Sequence, residues 1–458
     1  MIASPEIVVP RRRSSFRRLV ALGGTRTGVL GITTVGNLVV RTGSSMALTR
    51  LLTPDDFGIV GIIASVFFAV TMITDLGFQD FLIRHERADE RHFRDVIWTI
   101  HAKRGIALCL ALIIGSPLIA YAFAKPVVAM PLAAASLIFL INGVASLSLI
   151  IALRHDKSRE IALIDFGLQI FQTVCCLLLA LWWRNAWSII AAMVAQSAAR
   201  TLLSYRLFPE SREHFANDPA VSREFRVFSQ FILASSAMAL VIGQTDKLVL
   251  GRLFTLGEFG LYAIALTIAT APLAFADSYV NRIAFPIYAR TWREAPTDLG
   301  NTYYRVRRLP ASLYAFACGG LMGAASLAVA LLYDPRYAAA ATFVSLLMVG
   351  TALRLPNVAA AQLMIATGHV KKSMHVTIVR LIWVLAAIPA GLFVFGPIGV
   401  VAAIGLIEVP ALVYCWIQLR NADVFRLREE VLFLALVALG AGIGWLVATE
   451  VLRLFPHL

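Results

Sequence analysis

The chain has 458 residues, of which 59% are hydrophobic and only 15% charged, and its formal net charge at pH 7 is +14. This composition excludes a water-soluble globular protein of such length. The positive charge is explained better by the cytoplasmic loops of a membrane protein than by a nucleic-acid interface.

Apolar runs of about 20 residues recur along the whole chain, which is the length that crosses a bilayer as a helix. They predict an all-α polytopic membrane protein, preceded by a basic arm at 1–26 that we interpret as retained and cytoplasmic. We predict thirteen spans, at about 27–47, 57–74, 105–123, 128–151, 161–182, 186–204, 229–249, 258–276, 309–332, 338–364, 375–395, 398–419 and 431–452. With the amino terminus inside, arginine and lysine favour the inner segments by about five to one, as membrane topology requires.

One phrase occurs twice at a constant offset of 202 residues. Residues 48–62 read LTRLLTPDDFGIVGI and residues 250–264 read LGRLFTLGEFGLYAI. Each copy lies between two apolar runs and predicts the tight turn of a helical hairpin, with Thr53 as a helix cap in the first copy. The duplication predicts two six-helix lobes that run in the same direction through the membrane. The lobes are assigned to 27–204 and 228–420, with an inter-lobe linker at 205–227 and an appended thirteenth span at 421–458.

Basic and amide side chains inside the predicted spans mark a candidate cavity, because a charge is costly in hydrocarbon. Arg41 lies in a polar stripe with Asn37, although it could also reach outward to the headgroups. Arg354 lies near the middle of its span. For Lys247 and Arg380, an interfacial position explains the sequence about as well. The predicted substrate-binding residues are Arg41, Asn37, Arg354, Asn357, Arg380 and Lys247.

Several acids also lie inside or at the ends of spans and could exchange protons or ions during transport. Helix capping or an interfacial position is the simpler explanation for some of them. Glu408 precedes Pro410 by two residues, and the missing amide of that proline should loosen the helix. The candidate coupling residues are Asp246, Asp165, Glu408, Asp75 and Asp277. No phosphate-binding loop, catalytic elbow or metal-ligand spacing is found, so we expect no catalytic residue, metal or cofactor.

At this point the sequence resembles a known family. The motifs are ALTRLLTPDDFGIVGI at 47–62, TDLGFQDFLIRH at 74–85, TDKLVLGRLFTLGEFGLYAIA at 245–265, NRIAFPIYAR at 281–290 and ATGHVKKS at 366–373. They resemble the bacterial polysaccharide, or O-antigen, flippases of the multidrug/oligosaccharidyl-lipid/polysaccharide exporter superfamily. The order and spacing of the motifs cover spans one to twelve.

The resemblance implies a transporter that is not an enzyme. It implies that undecaprenyl-pyrophosphate-linked oligosaccharide passes from the inner to the outer leaflet of the bacterial cytoplasmic membrane by alternating access, for surface polysaccharide synthesis. A polysaccharide polymerase is an expected partner. The alternative is a cation-coupled drug or metabolite antiporter on the same scaffold, whose pocket should contain acids and aromatic residues.

Overall fold

The computed structural model describes residues 26–74, 76–207 and 212–455. In these ranges the chain forms helices and no strand. The α-helices, numbered in chain order, are α1 Arg26–Leu51, α2 Pro54–Ile73, α3 Phe78–Arg84, α4 Arg91–Ala122, α5 Ala129–Ala135, α6 Leu137–Gly143, α7 Ser148–Arg154, α8 Ser158–Trp183, α9 Trp187–Arg206, α10 Pro219–Leu253, α11 Leu256–Tyr279, α12 Phe285–Glu294, α13 Leu299–Gly323, α14 Ala325–Leu332, α15 Ala340–Ala366, α16 Val370–Gly405, α17 Glu408–Asn421 and α18 Leu427–Leu454.

Eight segments of the described chain are long and apolar enough to cross a membrane, or nine if the bent pair α13–α14 is one span. Helices also form at the predicted spans one, six and seven, as α1, α9 and α10. The segment 370–421 counts once among the eight but holds a reversal at Gly396, which has φ 66° and ψ −152°. The predicted all-α, multi-pass membrane fold is confirmed.

Some spans that we predicted as continuous helices are broken. Predicted span four is divided among α5, α6 and α7. Predicted span twelve breaks between Gly405 and Glu408, directly before Pro410, which agrees with the weakening expected from a missing amide. Periodicity alone cannot locate such breaks, because the residues on both sides remain apolar.

Both copies of the duplicated phrase form the same local structure. Thr53 accepts a hydrogen bond from the Asp56 amide, and the Asp56 carboxylate accepts one from the Thr53 amide at 2.9 Å. Thr255 and Glu258 make the equivalent pair of bonds, with the Thr255 amide 2.8 Å from the carboxylate. These capping boxes satisfy amides at the start of α2 and of α11 and define where each hairpin turns.

The two copies also contact each other. A Cβ on Gly58 would lie 2.0 Å from the carbonyl oxygen of Leu256, and one on Gly260 would lie 1.9 Å from that of Pro54. Pro54 and Leu256 occupy equivalent positions in the two copies, as Gly58 and Gly260 do. Each glycine therefore meets the same position of the other copy, which is the signature of a two-fold contact. This symmetric crossing of α2 and α11 is consistent with two repeats in parallel orientation.

The last helix packs closely against the carboxyl-terminal half. A Cβ on Gly319 or Gly323 of α13 would lie 2.1 Å or 2.0 Å from a carbonyl oxygen of α18. Gly444 of α18 is equally close to α13, at 2.2 Å. At one end of the pair, Arg307 bonds to Glu430 at 2.7 Å, and both side chains are almost fully buried. Small residues that let helix backbones meet are typical of stable packing in membranes.

Candidate functional site

A cavity of about 400 Å³ lies where α1, α2, α10 and α11 meet. We call it the central cavity. It combines residues of both predicted lobes, and its wall contains two cations, several hydroxyl and amide groups and three aromatic rings. The lining residues are Arg41, Gly61, Ala64, Ser65, Phe68, Gln244, Lys247, Phe259, Tyr262, Ala263, Leu266, Thr267 and Thr270.

The central cavity is sealed at the end of the bundle that carries the duplicated phrase, which we call the motif end. The crossing of Gly58 and Gly260 brings two backbones into contact there. Tyr337 donates a hydrogen bond to the Leu52 carbonyl at 3.0 Å, and Arg252 donates one to the Ala122 carbonyl at 2.8 Å. These bonds join the two halves of the chain. The opposite end, where the linker lies, is called the linker end.

Arg41 and Lys247 bring positive charge to the cavity from different halves of the chain. Arg41 is exposed, and within the described residues it forms no ion pair with a carboxylate. The Lys247 ammonium donates to the Gly243 carbonyl at 3.0 Å. Gln244 lines the same wall, and its Oε1 is buried with no hydrogen-bond partner among the described residues. The two cations can therefore attract an anion, whereas the Gln244 Oε1 can accept a hydrogen bond from a donor such as a hydroxyl group.

Two other polar groups lie beside this wall. Asn37 is one turn from Arg41 on α1, and its Oδ1 is likewise buried without a partner in the described chain. Asp246 is 4% exposed and accepts a hydrogen bond from the hydroxyl of Tyr262, a cavity residue. Asp246 thus lies behind the wall, next in sequence to Lys247.

Arg354 and Arg380 are not in the lining of the central cavity but in a network of four charges inside the carboxyl-terminal half. We call Asp277, Arg354, Arg380 and Glu408 the charge quartet. Arg354 lies 3.2 Å from Asp277 and 3.2 Å from Glu408, and Arg380 lies 2.6 Å from Glu408. The quartet contains two acids and two bases, so its formal charge is zero.

The broken helix positions the centre of the quartet. Glu408 is the first residue of α17, just after the break, and its side chain is 7% exposed. Asn357 donates to the Glu408 carboxylate at 2.6 Å and to its carbonyl at 2.9 Å. Three of the predicted substrate-binding residues, Arg354, Asn357 and Arg380, therefore meet two of the predicted coupling acids.

The remaining predicted acids lie elsewhere. Asp165 pairs with Arg200 at 3.2 Å, and both side chains are roughly half exposed. Asp75 lies outside the described residues. The buried pair of Arg307 and Glu430 was not singled out from the sequence, because both flank predicted loops and no motif links them. Among the described residues, no group of three potential metal ligands occurs.

Comparisons with known proteins agree with this architecture. The chain is 22% identical over 365 residues to the lipopolysaccharide biosynthesis protein WzxC of Escherichia coli, covering 79% of this chain and 73% of that protein. It is 24% identical over 231 residues to the teichuronic acid biosynthesis protein TuaB of Bacillus subtilis, covering 48% of this chain and 45% of that protein. The chain thus spans less than half of TuaB.

Two solved structures share the fold. The lipid II flippase MurJ in an inward closed conformation gives a TM-score of 0.69 at 11% identity, covering 93% of this chain and 98% of that one. An inward-facing multidrug resistance MATE family transporter of the MOP superfamily gives 0.61 at 13% identity, covering 86% and 95%. The profile described as polysaccharide biosynthesis protein matches residues 47–342, which is more than half of the sequence. The chain belongs to this polysaccharide biosynthesis protein family.

Proposed function

We propose that this chain is a flippase. It carries undecaprenyl-pyrophosphate-linked oligosaccharide from the inner to the outer leaflet of the bacterial cytoplasmic membrane, for the synthesis of a surface polysaccharide such as O-antigen or exopolysaccharide. The observation that carries the proposal is the pair of cations, Arg41 and Lys247, in a cavity between the two halves of a duplicated bundle. Family membership and the names of WzxC and MurJ support the same conclusion.

The electrostatics favour a phosphorylated lipid. A pyrophosphate has several negative charges, and their attraction to a cation strengthens where the surroundings exclude water. The guanidinium of Arg41 can donate two parallel hydrogen bonds to one phosphate group, whereas Lys247 offers a compact charge. The polyprenyl chain can remain in the bilayer while the headgroup and sugars occupy the space between the lobes.

We assign the motif end to the outer face and the linker end to the cytoplasm, with a cytoplasmic amino terminus. The lobes are 27–204 and 228–420, joined by the linker at 205–227. The part that follows residue 420 contains α18 and belongs to the carboxyl-terminal lobe by its packing. With the motif end sealed, release of the headgroup to the outer face requires the lobes to separate at the symmetric crossing.

Asp246 is the coupling residue that we propose first, since it is buried behind the cavity wall and bonded to Tyr262. Loss or gain of a proton there changes the charge beside Lys247 and hence the affinity for an anionic headgroup. Asp277 and Glu408 are neutralised by Arg354 and Arg380, and Asp165 lies near Arg200, so these acids rank lower.

The main alternative, an antiporter of cationic drugs on the same scaffold, is disfavoured by the charge of the cavity. Two cations in its wall repel a cationic ligand, and the nearest acid, Asp246, is held by Tyr262. We propose that the chain is not an enzyme and that it passes its product to a polysaccharide polymerase.

Export of surface glycan tests the proposal. In a strain whose own flippase gene is deleted, the unmodified chain should restore the glycan, whereas Arg41→Ala combined with Lys247→Ala should abolish it and cause lipid-linked oligosaccharide to accumulate. The control Arg159→Ala with Lys371→Ala removes two exposed cations at the linker end and should export normally. Normal export by the cavity variant at equal protein levels, or drug resistance without glycan export, would overturn the proposal.

A further inference from the structure

A second cationic groove lies about 30 Å from Lys247 along α10, at the linker end, where α4, the linker and α10 meet. Its volume is about 770 Å³, larger than that of the central cavity. We call it the linker-end groove. None of the residues predicted from the sequence as a site belongs to it.

Three cations and an apolar floor give the groove its character. Lys103, Arg223 and Arg226 line it and are exposed, and no carboxylate is among its described lining residues. The apolar floor includes Ile100, which is partly exposed, and Leu233, which is exposed. A groove with cations at its rim and hydrocarbon beneath matches a lipid headgroup that continues into an apolar chain.

Three nearby carboxylates of the described chain form hydrogen bonds away from the groove, and none lies within ion-pair distance of its cations. Glu224 lies 2.8 Å from the His85 ring. Asp218 caps α10 by accepting a hydrogen bond from the Ala220 amide at 2.8 Å. Asp95 accepts one from the His214 amide at 3.0 Å. Among the described residues, Lys103, Arg223 and Arg226 are thus exposed cations outside any ion pair.

Hydrogen bonds fix the walls of the groove. The Ala216 amide donates to Thr99 at 3.0 Å, which attaches the linker to α4. Ser229 donates to the Leu76 carbonyl at 2.8 Å, which attaches α10 to the segment after α2. The shape is thus defined before a ligand binds, and less entropy is lost on binding.

The groove and the central cavity lie on the same side of α10. An α-helix turns once in 3.6 residues, so Arg226 and Gln244, which are 18 residues apart, differ by five full turns. From Arg226, steps of four and three residues lead to Gln230 and Leu233 of the groove. The same face of the helix then continues to Gln244 and Lys247 of the cavity. One face of a single helix therefore connects the two cationic sites.

From this arrangement we infer that the linker-end groove is a loading site, which holds the diphosphate of the polyprenyl-linked substrate at the cytoplasmic surface before it enters the central cavity. The inference rests on the proposed function. The cations bind the diphosphate, and the apolar floor takes the first isoprene units. Because the groove and the central cavity lie on one face of α10, the groove fits a lipid that moves on to the cavity. A glycerophospholipid that stays at the surface would not require this shared face.

Binding to the purified full-length chain tests this assignment, with undecaprenyl diphosphate as the probe and native mass spectrometry as the readout. The background is Arg41→Ala with Lys247→Ala, so that the central cavity does not contribute. Adding Lys103→Ala, Arg223→Ala and Arg226→Ala should weaken binding on the order of a hundredfold, since each interfacial cation contributes roughly fivefold. The control triple variant Arg159→Ala, Arg293→Ala and Lys371→Ala, at exposed positions outside the groove, should bind as the background does.

Three further arms complete the test. The charge-preserving variant Lys103→Arg, Arg223→Lys and Arg226→Lys should retain most of the binding, which excludes a folding defect. Equal competition by phosphatidylglycerol would make the groove a general anionic-lipid site, and equal competition by inorganic pyrophosphate would show that the apolar floor plays no part. Either result overturns the assignment.

Export separates this inference from the proposed function. If the groove variant binds the probe and exports glycan normally while the cavity variant does not export, the loading site is rejected and the flippase proposal stands. If the unmodified chain exports no glycan at all, the proposed function itself fails, and with it the assignment of the groove to a substrate.

Discussion

Two regions of this protein place arginine within the membrane-embedded bundle, and they do so in opposite ways. In the charge quartet, Arg354 and Arg380 lie within 3.2 Å of carboxylates. In the central cavity, Arg41 and Lys247 are not paired with a carboxylate oxygen within the described residues. The first region is neutral and its charges satisfy one another, whereas the second keeps positive charge available.

The difference shows that a buried cation is not by itself a ligand-binding residue. A paired guanidinium must give up its carboxylates before it can bind an external anion, and removal of one partner leaves an uncompensated charge. An unpaired cation beside a cavity breaks no ion pair when an anionic ligand binds, so binding costs less free energy. Arg41 and Lys247 therefore fit substrate binding better than Arg354 and Arg380, which fit the stability of the carboxyl-terminal half.

The largest expected effect is on stability, from Glu408→Ala. This change leaves Arg354 and Arg380 without their shared partner, and breaking a buried pair costs about 3–5 kcal/mol. The thermal unfolding of the protein in detergent measures it. Glu429→Ala removes the partner of the largely exposed Arg308 and should cost at most about 1 kcal/mol. If the two variants lost equal stability, the contrast between the buried ion pairs of the charge quartet and the more exposed pair of Arg308 and Glu429 would be contradicted.

The symmetric crossing that seals the motif end should give the next largest effect on stability. Gly58→Val and Gly260→Val each add a side chain where a backbone oxygen is already within 2.0 Å of a Cβ position. We expect each to destabilise the protein by roughly 1–3 kcal/mol through overpacking, and by similar amounts because the contact is symmetric. Thermal unfolding again gives the measurement. Gly43→Ala, which meets nothing within 4 Å, is the control and should not lower stability.

A smaller effect on stability, but a large one on transport, is expected from Arg41→Ala. Because Arg41 is exposed to the cavity and has no carboxylate partner in the described chain, its removal should change the unfolding free energy by about 0.5 kcal/mol or less. Glycan export should nevertheless fall. A destabilisation as large as that of Glu408→Ala would show that Arg41 belongs to a structural network, and the comparison between the two regions would no longer hold.

The smallest effect concerns a partly buried acid, Glu213 in the linker. Burial raises the pKa of its carboxyl above the usual 4.5, although hydrogen bonds from Ser146 at 2.8 Å and from the Leu147 amide at 3.0 Å partly offset this. Over the pH range between the two pKa values the folded chain keeps a proton that the unfolded chain has lost. Stability should therefore decrease as pH rises from about 4.5 through the raised pKa.

Hydrogen–deuterium exchange at 146–148 measures this pH dependence. Glu213→Gln keeps an acceptor but cannot ionise, so its exchange should vary less with pH. If this segment of the unmodified chain became more stable as pH rises, the raised pKa of Glu213 would be contradicted.

Much of the architecture follows from local sequence features. The duplicated phrase predicts the two hairpin turns, and the spacing of polar residues on α1 places Arg41 and Asn37 on one helical face. The charge quartet could not be predicted in this way, because its members come from four helices between residues 277 and 408 and no spacing along the chain relates them. The linker-end groove depends equally on tertiary packing, since Lys103 and Arg226 are far apart in sequence.

The junction of α13 and α18 makes the last helix part of the charge balance of the protein. Glu430 of α18 neutralises Arg307 of α13, and both side chains are almost fully buried. A chain that ended before Leu427 would leave the Arg307 guanidinium without its carboxylate in the interior. The last helix therefore supplies an anion that the helix beside it needs, in addition to apolar packing.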